Sequence, residues 1–501
     1  MKRSGLILLA ALLAVYSCTE KPQEPTPDPI PEEMTLSASE FVAAQVGETL
    51  SLTVISPARP KVSGMPDWIV FRDGTFKNYQ ITFTFQVSAN PDTVAREAVL
   101  SLTAGDLAPK SVVITQSGYK PAITPGTDSE GWENAAAAVH NMGTGWNLGN
   151  TLESNSGSVD NMWIEAWTSR APKDYETAWG QPEATRELIH MFKEAGFGAI
   201  RVPVTWYPHM GTLTVSGTKW DMSTWTGYEV DPVWMARVKE VVGYVLDEGL
   251  YCILNVHHDT GAADTAWLVA GEAEFEAAKT RYQALWEQIA TTFKDYDEHL
   301  LFESYNEMLD PLDSWCFASF AASGGYNAAV AASAYKAINA YAQLFVETVR
   351  STGGNNSVRN LVVNTYGACS GDGTWNSHLK EPLTQLRLPE VPEHIAVEIH
   401  SYWDAEKFDS QKTDIDLLFS SQIGTILQRQ MGVPVIIGEW GGGSSADSDA
   451  NVRFANYFSA KARASGVAAF WWMGLSDGED RAVPQWTMPR TKDAILQPYQ
   501  P

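Results

Sequence analysis

Eight short apolar runs recur between residues 143 and 475, separated by stretches with helical spacing. They are GTGWNLGN from Gly143, GAIRVPVTW from Gly198, YCILNVHHD from Tyr251, LLFESYNEM from Leu300, NLVVNTYG from Asn360, HIAVEIHSYW from His394, VPVIIGEWGG from Val433 and GVAAFWWMG from Gly466. A run that is apolar throughout must be covered on both faces, as in a parallel sheet flanked by crossover helices. Between the runs, PEATRELIHMFKEAGF and DPVWMARVKEVVGYVLDEGL repeat apolar residues at intervals of three and four, and Gly196 and Gly249 mark helix ends. Eight alternations of strand and helix predict a (β/α)8 barrel over residues 131–501, with the longer insertions after the first, second and fourth strands on its catalytic face. Such a barrel reacts at the carboxyl ends of its strands, and a glutamate stands at two of them: Glu307 after Asn306, and Glu439 before Trp440.

The 501 residues, 44% of them hydrophobic, leave room for a barrel and one small domain. Sixty acidic residues against 35 basic ones give a formal charge of −25, which argues against nucleic acid as a partner. The chain is expected to be a monomer.

Lys2 and Arg3 precede an apolar stretch from Gly5 to Val15, too short to span a bilayer and suited to a secretory signal over residues 1–17. Cys18 follows Ser17, an arrangement that resembles a bacterial lipoprotein signal. The resemblance implies a lipid on Cys18 and an outer-membrane or cell-surface location in a Gram-negative bacterium. Residues 18–33, containing KPQEPTPDPIPEE, read as an extended tether. Cys252, Cys316 and Cys369 are odd in number and widely spaced, which predicts neither a disulfide framework nor a zinc site.

Residues 34–118 alternate in the manner of short strands (TLSLTVIS, QITFTFQVSA, EAVLSLTAG, SVVITQSG) broken by turn residues, which predicts a small all-β sandwich. The segments PDWIVF and VVITQSG resemble the BACON module, an immunoglobulin-like domain at the front of bacterial carbohydrate-active enzymes. Trp68, flanked by apolar neighbours, is expected in the core of the sandwich rather than at a sugar site. Residues 119–130 read as a linker.

Carboxyl groups after the fourth and seventh strands face one another across a barrel mouth. Retaining cleavage of a glycosidic bond needs two carboxyls about 5 Å apart, one to protonate the leaving oxygen and one to attack the anomeric carbon. Arg201, leaving the second strand, is placed to keep Glu439 ionised. His257 and His258 point to opposite sides of one strand, so only one faces the mouth squarely; His257 is chosen. Nineteen tryptophans, among them Trp146, Trp206, Trp403, Trp440 and Trp472 at strand ends, fit a sugar substrate, whose C–H faces pack on flat indoles. Trp179 and Trp267 fall in segments suited to more distant subsites.

The motifs GWNLGNTLE, AIRVPVTW, NVHHD, NEM, HSYW, GEWGG and FWWMG resemble glycoside hydrolase family 5, and the resemblance covers residues 131–490 in family order. It implies Glu307 as acid/base, Glu439 as nucleophile, and Arg201, His257, Asn306, His400 and Tyr402 as active-site partners. Trp472 is then the platform under the cleaved sugar, and Asn147 and Glu153 lie near it; for His258 a sugar contact and a histidine satisfied by a neighbouring backbone group both stay open. The implied activity is a retaining endo-β-1,4-glucanase acting on cellulose, mixed-linkage glucan or xyloglucan without any cofactor. An insertion over residues 154–178 is expected to leave space for branched substrate. Three alternatives stay open: a mannanase on the same barrel, an inactive glycan-binding protein, and a metal-dependent hydrolase using His257, His258, Asp259 and His400.

Overall fold

The computed structural model describes residues 30–43, 47–118, 123–156, 169–312, 326–371, 378–389, 394–443 and 447–500. The signal segment, Cys18, most of the tether, Cys316 and residues 157–168 of the insertion lie outside the described residues. The chain divides into two compact units, Met1–Gly118 and Tyr119–Pro501.

Among the described residues, the first unit has eight strands: β1 (Thr35–Leu36), β2 (Glu40–Ala43), β3 (Gly47–Ile55), β4 (Lys61–Ser63), β5 (Ile69–Arg72), β6 (Gln80–Ser88), β7 (Arg96–Thr103) and β8 (Lys110–Gln116). They form two four-stranded sheets, ordered β1-β3-β6-β5 and β2-β8-β7-β4. Alternation explains the arrangement, because Ile81, Phe83, Phe85 and Val87 of β6 are all buried while the residues between them face outward. With Leu52, Leu100, Leu102 and Ile114 they form the core. Trp68 departs from expectation: it is half-buried at the margin of that core, with the Arg96 guanidinium 4.3 Å above its ring.

In the second unit, β9 (Thr144–Asn147), β10 (Ala199–Val202), β13 (Tyr251–Asn255), β14 (Leu300–Glu303), β15 (Leu361–Cys369), β16 (Ile395–Tyr402), β17 (Val435–Gly441) and β18 (Ala468–Trp471) close into a parallel barrel. The two intervening strands, β11 (Met210–Ser216) and β12 (Lys219–Val230), form an antiparallel hairpin in the insertion after β10. The helices Arg186–Ala195 and Pro232–Asp247 occupy the expected segments, and Gly196, at φ +104°, ends the first in the left-handed conformation that glycine adopts without strain. Residues 123–130 are fastened to the barrel unit rather than free of it, since Asp128 lies 3.3 Å from His394.

Strand periodicity then sorts the side chains. Cys252 and Leu254 of β13, Leu300 and Phe302 of β14, and Val397 and Ile399 of β16 pack outward among the helices. Ala199, Tyr251, Ile253, Leu301, Ala396 and Ile436 form a separate inner cluster. The next inward positions toward the carboxyl ends are polar: Asn147, Arg201, Asn255, Glu303, Glu398 and His400. β17 reaches the same level through a register shift that pairs His400 with Glu439. One cysteine expectation fails: Cys369 is disulfide-bonded, while Cys252 is free and buried. Spacing along the chain does not reveal the bond at Cys369, because a disulfide is decided by distance in the fold.

Candidate active site

Arg201 is the hub of the barrel mouth. It is fully buried, and all five of its N–H groups find acceptors. Nε and Nη2 donate to Glu303 at 2.7 and 2.8 Å, Nη1 to Glu439 Oε1 at 2.8 Å and to Asn147 Oδ1 at 2.9 Å, and Nη2 to Asn306 Oδ1 at 2.9 Å. A guanidinium is suited to this, since its donors are fixed in a plane and its charge survives burial when carboxylates surround it.

Glu439 accepts a second hydrogen bond at Oε2, from the Tyr402 hydroxyl at 2.6 Å. Burial alone would raise its pKa, but His400, Arg201 and Tyr402 outweigh burial and hold the carboxyl below the ordinary glutamate value. Glu307 lies in the loop after β14, and its Oε1 is 2.7 Å from His400 Nδ1. Its pKa shifts the opposite way: burial raises it, reinforced by the charge of Glu439, and the hydrogen bond from His400 only partly offsets this. One oxygen of Glu307, one of Glu439 and a ring nitrogen of His400 all lie within 4.8 Å of one another. Two neighbouring carboxyls driven in opposite directions can serve one as acid and the other as anion.

His400 bridges these groups. Burial would lower its pKa, but Glu439, Glu307 and Glu398 together push it up to about 10, so both ring nitrogens carry hydrogen. His257 is the opposite case: burial, with His258, Arg201 and His400 nearby, holds it neutral. Its tautomer follows from its neighbours. Asn255 accepts from the Val204 N–H through Oδ1, so its Nδ2 faces His257 Nδ1, and the His257 hydrogen resides on Nε2. His257 Nε2 lies 3.9 Å from Glu439 Oε1, and its ring is 3° from parallel to the Trp472 indole. Trp472 is half-buried just beyond β18, against Gly149, where a Cβ would come within 3.1 Å of the indole. Asn306 gives its oxygen to Arg201, which leaves its amide nitrogen as the free donor.

Three of the sequence-chosen residues stand further back. Asn147 is fully buried, donating to Gly438 O and accepting from Arg201, so it acts on the site through Arg201 rather than on a sugar. Glu153 is likewise fully buried, its carboxyl accepting from the backbone N–H groups of Asn150 and Thr151. It organises the loop after β9. His258 packs beside Trp179 at 5.4 Å, pushed down to about 4 by burial. Trp146, Trp206 and Trp440 are core residues with no exposure, and Trp267 is tied to Asp259. That bond, with the Trp206 and Tyr207 N–H groups, occupies the Asp259 carboxylate, so the metal-ligand set His257, His258, Asp259 and His400 does not converge. Sequence reasoning missed Glu303, Glu398, Asn255 and Asn364. The signal was present, because a glutamate inside an apolar run such as LLFES or AVEIH must be buried and therefore paired.

Comparison with known proteins decides the family. The cellulase model of glycosyl hydrolase family 5 matches residues 164–477. The chain belongs to this family. The family 5 domain is preceded by a match to the BACON model, an N-terminal binding-domain family, over residues 61–117. Among solved structures, the chain is similar to a GH5-4 broad-specificity endoglucanase from an uncultured bacterium, at 48% identity and a TM-score of 0.66, over 74% of this chain and 97% of that one. It is also similar to PbGH5A of Prevotella bryantii B14, a mutant of which was solved with a xyloglucan tetradecasaccharide. Here identity is 37% and the TM-score 0.59, over 74% of this chain and 99% of that one. Endoglucanase B of Neocallimastix patriciarum is 32% identical over 369 residues, 68% of this chain, and the match spans 65% of that relative's length.

Proposed function

We propose that the protein is a retaining endo-β-1,4-glucanase of family 5 that cuts within plant β-glucan chains, xyloglucan among them. The observation that carries the reading is the pair Glu307 and Glu439, with carboxyl oxygens within 4.8 Å of one another and pKa values driven apart. In the first step Glu439 attacks the anomeric carbon while Glu307 protonates the departing glycosidic oxygen. His400 Nδ1–H occupies Oε1 of Glu307, so the acid proton rides on Oε2. In the second step the Glu307 carboxylate takes a proton from water, the water oxygen joins the anomeric carbon, and the ester bond to Glu439 breaks. The Asn306 amide donates to the 2-hydroxyl of the cleaved sugar, a bond that tightens as positive charge develops on the ring. Trp472 supplies the apolar face beneath it. No metal or organic cofactor enters this cycle. The names of the relatives support the substrate class: broad-specificity endoglucanase for one, and a bound xyloglucan fragment in another.

The protein is read further as a secreted monomer, lipidated on Cys18 and held at the outer membrane or cell surface, with residues 18–33 as tether. Two observations support export: the charged and apolar pattern of residues 1–17, and the disulfide at Cys369, a bond that persists in oxidising compartments. Reducing-sugar release from barley β-glucan and xyloglucan tests the activity beside a Glu439→Gln variant. The expected result is release by the wild type and none above background by the variant; equal, negligible release by both refutes the enzyme.

A further inference from the structure

The barrel mouth holds more acid than the proposed reaction uses. Glu398 lies on β16 two residues before His400, so both side chains point inward. It is fully buried, with Oε1 3.1 Å from His400 Nε2 and 3.4 Å from Arg201 Nη2, and Oε2 has no hydrogen-bond partner. The carboxyl is seated against the strand that carries the second glutamate. A Cβ at Gly438, the residue before Glu439, would lie 1.8 Å from Glu398 Oε1. On the other side of the imidazole, Nδ1 is 2.7 Å from Glu307 Oε1 and 3.6 Å from Glu439 Oε2. A single ring therefore touches both carboxyls of the proposed reaction and is held from behind by a third.

We propose that Glu398 is a positioning residue: it grips His400 at Nε2, so that Nδ1–H remains a donor to Glu307 and a positive charge remains beside Glu439. The inference rests on the roles proposed above for those two glutamates. With only a neutral acceptor at Nε2, the ring keeps one hydrogen there as pH rises and presents a bare Nδ1 to Glu307. A carboxylate at Nε2 stabilises the doubly protonated ring instead. The charged and titratable groups facing His400 are Glu307 from the loop after β14, Glu439 from β17 and Glu398 from its own strand. Arg201 on β10 and His257 on β13 lie behind these. Burial, reinforced by Glu303, pushes Glu398 itself up to about 7, so its charge is present above neutrality and fades below it.

A Glu398→Gln variant keeps the shape and mimics the protonated acid. The expected result is kcat/KM close to wild type at pH 5 and an alkaline loss of activity that sets in about one pH unit lower than in the wild type. In the same samples the His400 imidazole is followed by nitrogen-15 NMR, with its signal assigned by its loss in His400→Gln. Wild-type His400 is expected to stay doubly protonated to pH 8, and its midpoint to fall by about one unit in the variant. A loss that is equal across the pH range, or an alkaline loss that sets in at the wild-type pH, overturns the proposal. So does a wild-type His400 that is already neutral at pH 7, a result that needs no folded variant. If the wild type cleaves no β-glucan but the NMR midpoint still moves, the enzymatic reading fails while the Glu398–His400 coupling stands.

Discussion

Arg201→Lys keeps the charge at the centre of the site and removes only its geometry. Arginine here serves five acceptors with five hydrogens directed from three nitrogens. Lysine offers three hydrogens from a single atom, so at least two of the five acceptors lose their donor. Each buried acceptor left unpaired costs about 1–3 kcal/mol, giving a destabilisation of about 2–6 kcal/mol. For a unit of this size that is a fall in unfolding temperature of about 3–8 °C. The deficit has a pH signature. Because Glu439 is held below the ordinary value of 4.5, its contribution to stability is present above that value and is lost as pH falls through its folded pKa. Weakening its partner therefore costs more at pH 7 than at pH 3, and the two melting curves converge on acidification. Thermal unfolding by circular dichroism at both pH values measures this. An Arg201→Lys protein that melts within about 2 °C of wild type at pH 7 refutes the account of Arg201 as a saturated hub.

The wild-type kcat/KM is expected to be bell-shaped in pH, with an acid limb below 4.5 from Glu439 and an alkaline limb above it from Glu307, as initial rates on a soluble glucan will show. Tyr402→Phe removes the 2.6 Å hydrogen bond to Glu439 Oε2 and moves the acid limb up by about one pH unit, with the alkaline limb shifting less. An unmoved acid limb counts against that bond as a determinant of the Glu439 charge. Trp472→Ala raises KM and lowers kcat/KM about tenfold, from the lost stacking surface, while the melting temperature barely changes because the indole is only half-buried.

The barrel was legible because parallel strands covered on both faces leave apolar runs that cannot be mistaken for amphipathic helices. The same alternation turns Arg201 and His400 to the mouth, where Glu439 arrives through the register shift in β17, and it also places Glu303 and Glu398 beside them. Those two become legible only when a glutamate inside an apolar run is read as a buried charge in need of a partner. The hairpin β11–β12 lies in the insertion after the second strand, where Val215 and Trp220 pair across a turn at Gly217, whose φ is +65°. Residues such as Asn147 and Glu153 could be placed near the site but not oriented, since which atoms they engage depends on strands distant in sequence. The disulfide at Cys369 and the opposed pKa directions of Glu307 and Glu439 are likewise products of convergence in space.

The stereochemistry of the first product tests the paired-glutamate mechanism most directly. Proton NMR during early hydrolysis of a soluble β-glucan resolves the anomeric signal of the new reducing end before it mutarotates. With a carboxyl oxygen of Glu307 and one of Glu439 within 4.8 Å, the β-anomer is expected to appear first and the α-anomer only later. An α-anomer appearing first would mean that a water, not Glu439, attacks the sugar, and would contradict the double-displacement account.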